Sequence, residues 1–147
     1  MTKQSDFTVR EYRQSDYQEV IHLWESTGMG DSKRGDDEKI IEKTIEIGGC
    51  LLVMEDKNNG RVCGTSWMTF DGRRIHLHHF GILPEYQGTG LSKLLLAESM
   101  KFARNKGIQV KLEVHRTNRK AINLYKSEGF QYLGDFDVYI IRDIRKT

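Results

Sequence analysis

The sequence predicts one mixed α/β domain over residues 1–147, with an antiparallel first half and a single parallel β-α-β step. Three observations carry that expectation. Strand-like runs between Cys50 and Leu83 are joined by Asn58-Asn59-Gly60 and Asp71-Gly72, both hairpin signals. Apolar residues recur at helical spacing on either side, in Tyr17–Trp24 and again from Thr89 onward. Over Arg74–Val114 a strand, a long helix and another strand follow in turn, which requires a crossover and therefore a parallel pair.

Taken in order, Thr8-Val9-Arg10 reads as the first strand. A helix follows, with Ser15 or Asp16 as N-cap and Tyr17, Val20, Ile21 and Trp24 on one face. Glycines and charges from Gly28 to Gly35 form a loop. Asp36 and Asp37 are positioned to cap a second helix carrying Ile40, Ile41 and Ile45, ending at Gly48-Gly49. Cys50–Glu55, Arg61–Phe70 and Arg74–Leu83 read as an antiparallel meander, stopped by the one proline, Pro84. A helix from Thr89 to Lys106 should bury Leu91, Leu94, Leu95 and Phe102 and stop at Gly107. Val110–Val114 alternates as a strand, Asn118–Glu128 is a helix closed by Gly129, and Gln131–Leu133 and Val138–Ile141 complete the chain as strands.

Composition narrows the function classes. The balance of 37% hydrophobic and 30% charged residues is that of a globular domain. A net charge of +2 with interleaved signs argues against a nucleic-acid module. Met1–Asp6 has no apolar signal core, and the longest apolar runs, such as Leu51–Met54, are too short to span a bilayer. A cytoplasmic protein with no membrane partner is expected. Cys50 and Cys63 lie in strand-like runs and read as buried, reduced thiols.

The chemistry concentrates in Gln87-Gly88-Thr89-Gly90-Leu91-Ser92, between a strand and a long helix. Glycines there let backbone approach a ligand, and the amides and dipole of the first helical turn favour an anion such as a pyrophosphate. No Gly-Lys-Ser/Thr ending makes it a P-loop, and Lys93 occupies the place of a third glycine in the dinucleotide fingerprint. Read alone, the Gly-x-Gly is equally a tight strand-to-helix turn.

Its surroundings decide between the two. Phe80-Gly81-Ile82-Leu83-Pro84-Glu85-Tyr86 leading into Gln87–Ser92 resembles motif A of the GNAT superfamily of N-acetyltransferases, with Ser92 in place of the usual last small residue. Asn118–Phe130 resembles that family's motif B, Asn-x-x-Ala-x-x-Leu-Tyr-x-x-x-Gly-Phe. The resemblance implies the GNAT acyl-CoA N-acyltransferase fold and acetyl transfer from acetyl-CoA to an amine by direct attack in a ternary complex. It implies that the amides of Gln87, Gly88, Thr89, Gly90, Leu91 and Ser92 hold the coenzyme's pyrophosphate. The backbone of Phe80, Gly81 and Ile82 would pair with the pantetheine arm, one of these amides stabilising the oxyanion, and Asn118 would contact the coenzyme. Family members are often dimers, so a homodimer is an option.

Acyl transfer must neutralise the amine and protonate the leaving thiolate. Tyr125 matches the motif B tyrosine that supplies the second proton, although it also lies with Ala121 and Leu124 on a packable helical face. Two candidates stand for the base. Glu113 is placed as in ribosomal-protein N-terminal acetyltransferases; His76-Leu77-His78 resembles the His-x-His pair of arylalkylamine N-acetyltransferases. Strict alternation puts His76, His78, Phe80 and Ile82 on one face and His79 on the other. A histidine near ~6.5 suits neutral pH better than an unperturbed carboxylate near ~4.3. No metal site is expected. Acids in Gly28–Gly35 (Asp31 among them), Asp36, Asp37, Asp135 and Asp137 would attract a cationic amine, and Tyr12, Trp24 and Trp67 are candidates for an aromatic acceptor pocket, with core packing the better reading of Trp24. A non-catalytic acyl-CoA sensor or interaction module is the alternative from another class.

Overall fold

A computed structural model of the chain describes residues 3–30 and 35–146. These fall into two compact units, Met1–His115 and Arg116–Thr147. The first unit holds β1 (Phe7–Glu11), α1 (Tyr17–Thr27), α2 (Glu38–Glu46), β2 (Cys50–Asp56), β3 (Arg61–Phe70), β4 (Ile75–Ile82), α3 (Leu91–Lys106) and β5 (Val110–Leu112). The strands form one sheet in the order β1-β2-β3-β4-β5. All neighbours are antiparallel except β4 and β5, which run parallel across the α3 crossover.

The two faces of the sheet can be assigned from cross-links. On one side Trp24 of α1 donates through Nε1 to Thr65 Oγ1 at 2.9 Å, and Trp67 Nε1 donates to Thr44 Oγ1 of α2 at 2.9 Å. On the other side Ser66 Oγ and Ser99 Oγ of α3 share a hydrogen bond of 2.7 Å. β3 alternates between them, so Thr65 and Trp67 face α1 and α2 while Ser66 and Met68 face α3. Burial follows: Val20, Leu23, Trp24 and Ile41 fill the first layer, and Leu91, Leu95, Leu96 and Ala103 the second. Leu94 and Phe102, expected in the core, are only half-buried, because the α3 stripe runs through Leu95, Ser99 and Ala103 instead.

Caps explain the helix ends. Asp37 Oδ1 accepts from the Ile40 amide at 3.0 Å and starts α2. Asp16 stands at the N-cap position of α1 but makes no cap bond. Its carboxylate instead receives both Arg10 guanidinium nitrogens, at 2.8 and 2.9 Å, and the Arg13 amide at 2.8 Å. Cys50 and Cys63 are free and buried, and burial pushes both thiols up to about 12.

The second unit contains α4 (Arg119–Ser127), begun by Asn118, whose side chain accepts from the Ala121 amide at 3.2 Å. The strands expected at Gln131–Leu133 and Val138–Ile141 are not formed. Alternation marks a two-faced extended segment, but a strand also needs a neighbour, and neither segment finds one among the described residues. Tyr132, Val138 and Tyr139 are 82%, 69% and 91% exposed. β5 is likewise shorter than expected, ending at Leu112 rather than Val114. Among the described residues no helix is long and apolar enough to cross a membrane.

Candidate active site on strand β4 and the glycine turn

β4 departs from regularity at His79. Its register against β3 runs Phe70–Ile75, Thr69–His76, Met68–Leu77 and Trp67–His78, then resumes at Thr65–Gly81 and Gly64–Ile82. Two residues of β4, His79 and Phe80, therefore stand opposite the single Ser66, which defines a bulge. His79 takes φ +43, the one positive value at a non-glycine among the described residues.

The bulge corrects the expected alternation. His76 and His78 pair with Thr69 and Trp67 and so face α1 and α2. Ile82 pairs with Gly64, which shares its face with Ser66, so Ile82 faces α3. Phe80 and Ile82 thus do not continue the His76–His78 face. His79, expected on the opposite face, turns toward α1 and α2 with them. Its ring meets Trp24 edge-on at 4.6 Å and Trp67 at 5.1 Å, and its Nε2 lies 3.1 Å from Asp36 Oδ2.

The three imidazoles are not equivalent. His76 and His78 stack at 4.0 Å, and His78 Nε2 bonds Thr69 Oγ1 at 2.9 Å. Burial, reinforced by the charges of His76 and His79, pushes His78 down to about 4. His76 is also lowered, chiefly by burial, with Glu113 opposing. Glu113 itself is exposed, one residue past β5. His79 alone of the three bonds a carboxylate. Among the described residues no cluster of three or more metal-ligating side chains occurs.

Beyond the histidines, the β4–β5 ladder covers only Ile75–Leu77 against Val110–Leu112, while β4 continues to Ile82. The edge of β4 from His78 onward is thus left uncovered by β5. The Pro84–Tyr86 turn and the glycine turn follow directly. Gln87 Nε2 donates to Ile82 O at 2.8 Å, tying that turn to the end of the strand. Gly88 and Gly90 both have φ +81, and Gly90 is the N-cap of α3. No side chain caps this helix and no acidic residue lies in its first turn. Among the described residues the amides of Gly88 through Ser92 donate to no other protein group. A Cβ at Gly88 would meet nothing within 4 Å. Orphan donors, open space and an unneutralised helix dipole suit an anionic group of the pyrophosphate kind.

In the second unit Tyr125 is buried, its ring 5.8 Å from Phe130, and burial pushes the phenol up to about 12. Asn118 serves as the helix cap. Asp135 and Asp137 are exposed. Of the expected acceptor loop, Asp31, Lys33 and Arg34 lie outside the described residues; Asp36 and Asp37 are taken by His79 and the α2 cap. Trp24 and Trp67 are core residues, stacked at 5.0 Å. Sequence reasoning missed the His79–Asp36 pair, because nothing in His-His-Phe-Gly signals a bulge.

Proteins of known structure share this fold. The model of the acetyltransferase (GNAT) family matches residues 9–130. A Trypanosoma brucei acetyltransferase superposes with TM-score 0.74 at 22% identity, covering 92% of this chain and 100% of that one. A Streptococcus pneumoniae GNAT acetyltransferase gives TM-score 0.68 at 27% identity, covering 84% and 83%. A Salmonella typhimurium protein, solved with its cofactor acetyl-CoA, gives 0.71 at 24% identity, covering 84% and 79%. With a family match that spans most of the chain and the same five-stranded mixed sheet beneath it, this chain belongs to the GNAT family of acetyltransferases.

Proposed function

We propose that the protein transfers the acetyl group of acetyl-CoA to a primary amine, by direct attack in a ternary complex, as one N-acetyltransferase domain spanning residues 1–147. The observation that carries this reading is a juxtaposition. The stretch of β4 that β5 leaves uncovered leads into a helix N-terminus whose amides from Gly88 to Ser92 have no protein partner among the described residues. An extended arm with amide groups could pair along Phe80, Gly81 and Ile82 in the manner of an added strand, its pyrophosphate held by the amides of Gly88–Ser92, while the Gln87 amide, expected among them, instead donates to Pro84 O at 3.2 Å. One amide of Phe80–Ile82 would stabilise the oxyanion.

On the strength of motif B, Tyr125 protonates the departing thiolate and Asn118 contacts the coenzyme. A phenol pushed up to about 12 stays protonated at neutral pH, as an acid must. Glu113 and His78 are the sequence-derived candidates for the base. In this reading the reaction needs no metal, nucleic acid or membrane, the protein acts in the cytoplasm, and a homodimer is compatible with it.

The test is release of thiol from acetyl-CoA in the presence of polyamines, amino acids, arylalkylamines, aminoglycosides and N-terminal peptides. At least one amine should raise release above the rate with coenzyme alone. If coenzyme A stabilises the protein thermally but no amine raises turnover, the chain is a non-catalytic acyl-CoA sensor and the enzyme reading fails.

A further inference from the structure

We propose that His79, held by Asp36, is the group that takes the proton from the attacking amine. The inference rests on the acetyl-transfer reading above and adds to it a residue that neither the sequence motifs nor the family match singles out.

Four observations converge on His79. It sits within the part of β4 that β5 leaves uncovered, beside the backbone assigned to the thioester arm. It is held in a left-handed conformation that a bulky side chain rarely adopts, at φ +43, and such strain persists only where surroundings over-determine it. Those surroundings are the rings of Trp24 and Trp67 and the hydrogen bond from Thr65 Oγ1 to the His79 carbonyl at 2.8 Å. Finally, its Nε2 lies 3.1 Å from Asp36 Oδ2, both side chains being largely buried.

Gly30 closes over this pair. It is buried, and a Cβ there would collide with Asp36 Oδ2 and come within 2.5 Å of His79 Nε2. The loop backbone therefore approaches the dyad as closely as a residue without a side chain permits. With Nε2–H donated to Asp36, Nδ1 carries the lone pair. No described residue bonds Nδ1, and it is not one of the buried polar side-chain atoms without a partner among the described residues, which are Arg10 Nε and Tyr12 Oη. The titratable neighbours among the described residues are Asp36 and, at 6.2 Å between rings, His78, while α1 and β3 meet the ring with the two indoles. Among the described residues His78 bonds no carboxylate and is pinned to Thr69.

The step balances without a further reagent. The amine nitrogen forms its bond to the thioester carbonyl carbon and gives its proton to His79 Nδ1. The C–S bond breaks, sulfur leaves as thiolate and takes the phenolic proton proposed above for Tyr125, the imidazolium returns its own proton to solvent, and solvent reprotonates the phenolate. Asp36 acts as a positioning residue, fixing the tautomer and ring orientation.

Three variants test this with an amine that the wild type acetylates. His79→Asn keeps a residue that tolerates positive φ and a donor for Asp36, but no titratable nitrogen. It should retain the thermal shift caused by coenzyme A and lose at least about 100-fold in kcat, the scale of general-base catalysis. His79→Gly, which relieves the backbone, should lose kcat likewise and regain part of it with added imidazole. Asp36→Asn should lower kcat and leave the KM for the amine unchanged. Turnover by His79→Asn within threefold of wild type overturns the proposal. So does a loss in His79→Gly that imidazole does not repair, which would make the role structural. An Asp36→Asn effect confined to KM would make Asp36 an amine-binding carboxylate and overturn its positioning role. Wild-type protein inert toward every amine refutes the acetyl-transfer reading itself, whereas active wild type with active His79 variants refutes this inference alone.

Discussion

Replacing Thr65 by valine should expose how much the core depends on one hydroxyl. Thr65 is fully buried, and its Oγ1 accepts from Trp24 Nε1 at 2.9 Å and donates to the His79 carbonyl at 2.8 Å. Valine has the same shape, so no cavity opens and the loss is confined to hydrogen bonding. It leaves an indole N–H sealed without an acceptor, since Trp24 is itself 0% exposed, and removes a donor from a carbonyl beside a strained residue. An unsatisfied buried group costs about 1–3 kcal/mol, so two together give about 2–6 kcal/mol. Against a typical total of about 5–15 kcal/mol this is a large fraction. At about 2–4 °C per kcal/mol for a chain of this size, the midpoint should fall by roughly 4–24 °C. Thr65→Ser keeps the hydroxyl and forfeits only one methyl, worth about 1 kcal/mol. Urea and thermal unfolding of the three proteins side by side decide the matter. A valine variant as stable as the serine variant would refute the reasoning, because the hydroxyl would then carry no weight.

Other expectations follow from the same geometry. Tyr125→Phe should lower kcat by about 100-fold with coenzyme A affinity nearly unchanged, measured by steady-state thiol release and by calorimetry; a loss of affinity instead would mark a packing role. Asp16 is pushed up by burial but more strongly down by its hydrogen bonds to Arg10 and the Arg13 amide, and ends below its ordinary value. A carboxyl depressed in the folded state stabilises above its unfolded value and loses that contribution as pH falls through the folded one. Asp16→Asn should therefore cost about 1.5–3 kcal/mol near neutral pH and progressively less below about pH 4, read by urea unfolding across that range. A gap that stays constant into strong acid would contradict the ion-pair account. With thiols pushed up to about 12, Cys50 and Cys63 should alkylate with iodoacetamide far more slowly in native protein than in denaturant; equal rates would mean that the sheet opens readily.

Much of the fold was legible because period and punctuation agree. Arg61–Phe70 forms β3 over just those residues, since Asn58-Asn59-Gly60 and Asp71-Gly72 bracket it with turns. Asp37, Gly107 and Asn118 bound their helices as their side chains or lack of one dictate. The Gly88–Ser92 turn was legible for the same reason, as two left-handed glycines before a long helix. What escaped depends on partners rather than on local pattern. Val138–Ile141 alternates as a strand should, yet pairing is a property of two segments and only one is visible in a sequence window. Asp16 reads as an N-cap by type, but Arg10, six residues earlier, takes its carboxylate. His78 looked well matched to neutral pH at its ordinary value, and burial, which no local window reports, moves it to about 4.

The bulge on β4 ties the remaining misreadings together. An added residue opposite Ser66 raises the local twist of its strand. Twist carries a strand away from a straight neighbour, and the β4–β5 ladder ends at Leu77–Leu112, two residues before His79. The same insertion reverses the parity of everything downstream, which sends Ile82 toward α3 and leaves Gly81 opposite Thr65 on the α1 side. It also turns the His79 ring beneath Gly30 and onto Asp36. Each of these, the edge that β5 leaves behind, the reversed faces and the histidine–aspartate pair, would vanish together if β4 were one residue shorter at this point. Deleting His79 should therefore do more than remove a side chain: with regular pairing restored along β3, the strand loses the deviation that sets its edge apart from β5, and coenzyme A binding should fall along with turnover. In His79→Asn the bulge survives and only turnover should fall. That contrast separates what the backbone of this segment contributes from what its imidazole does.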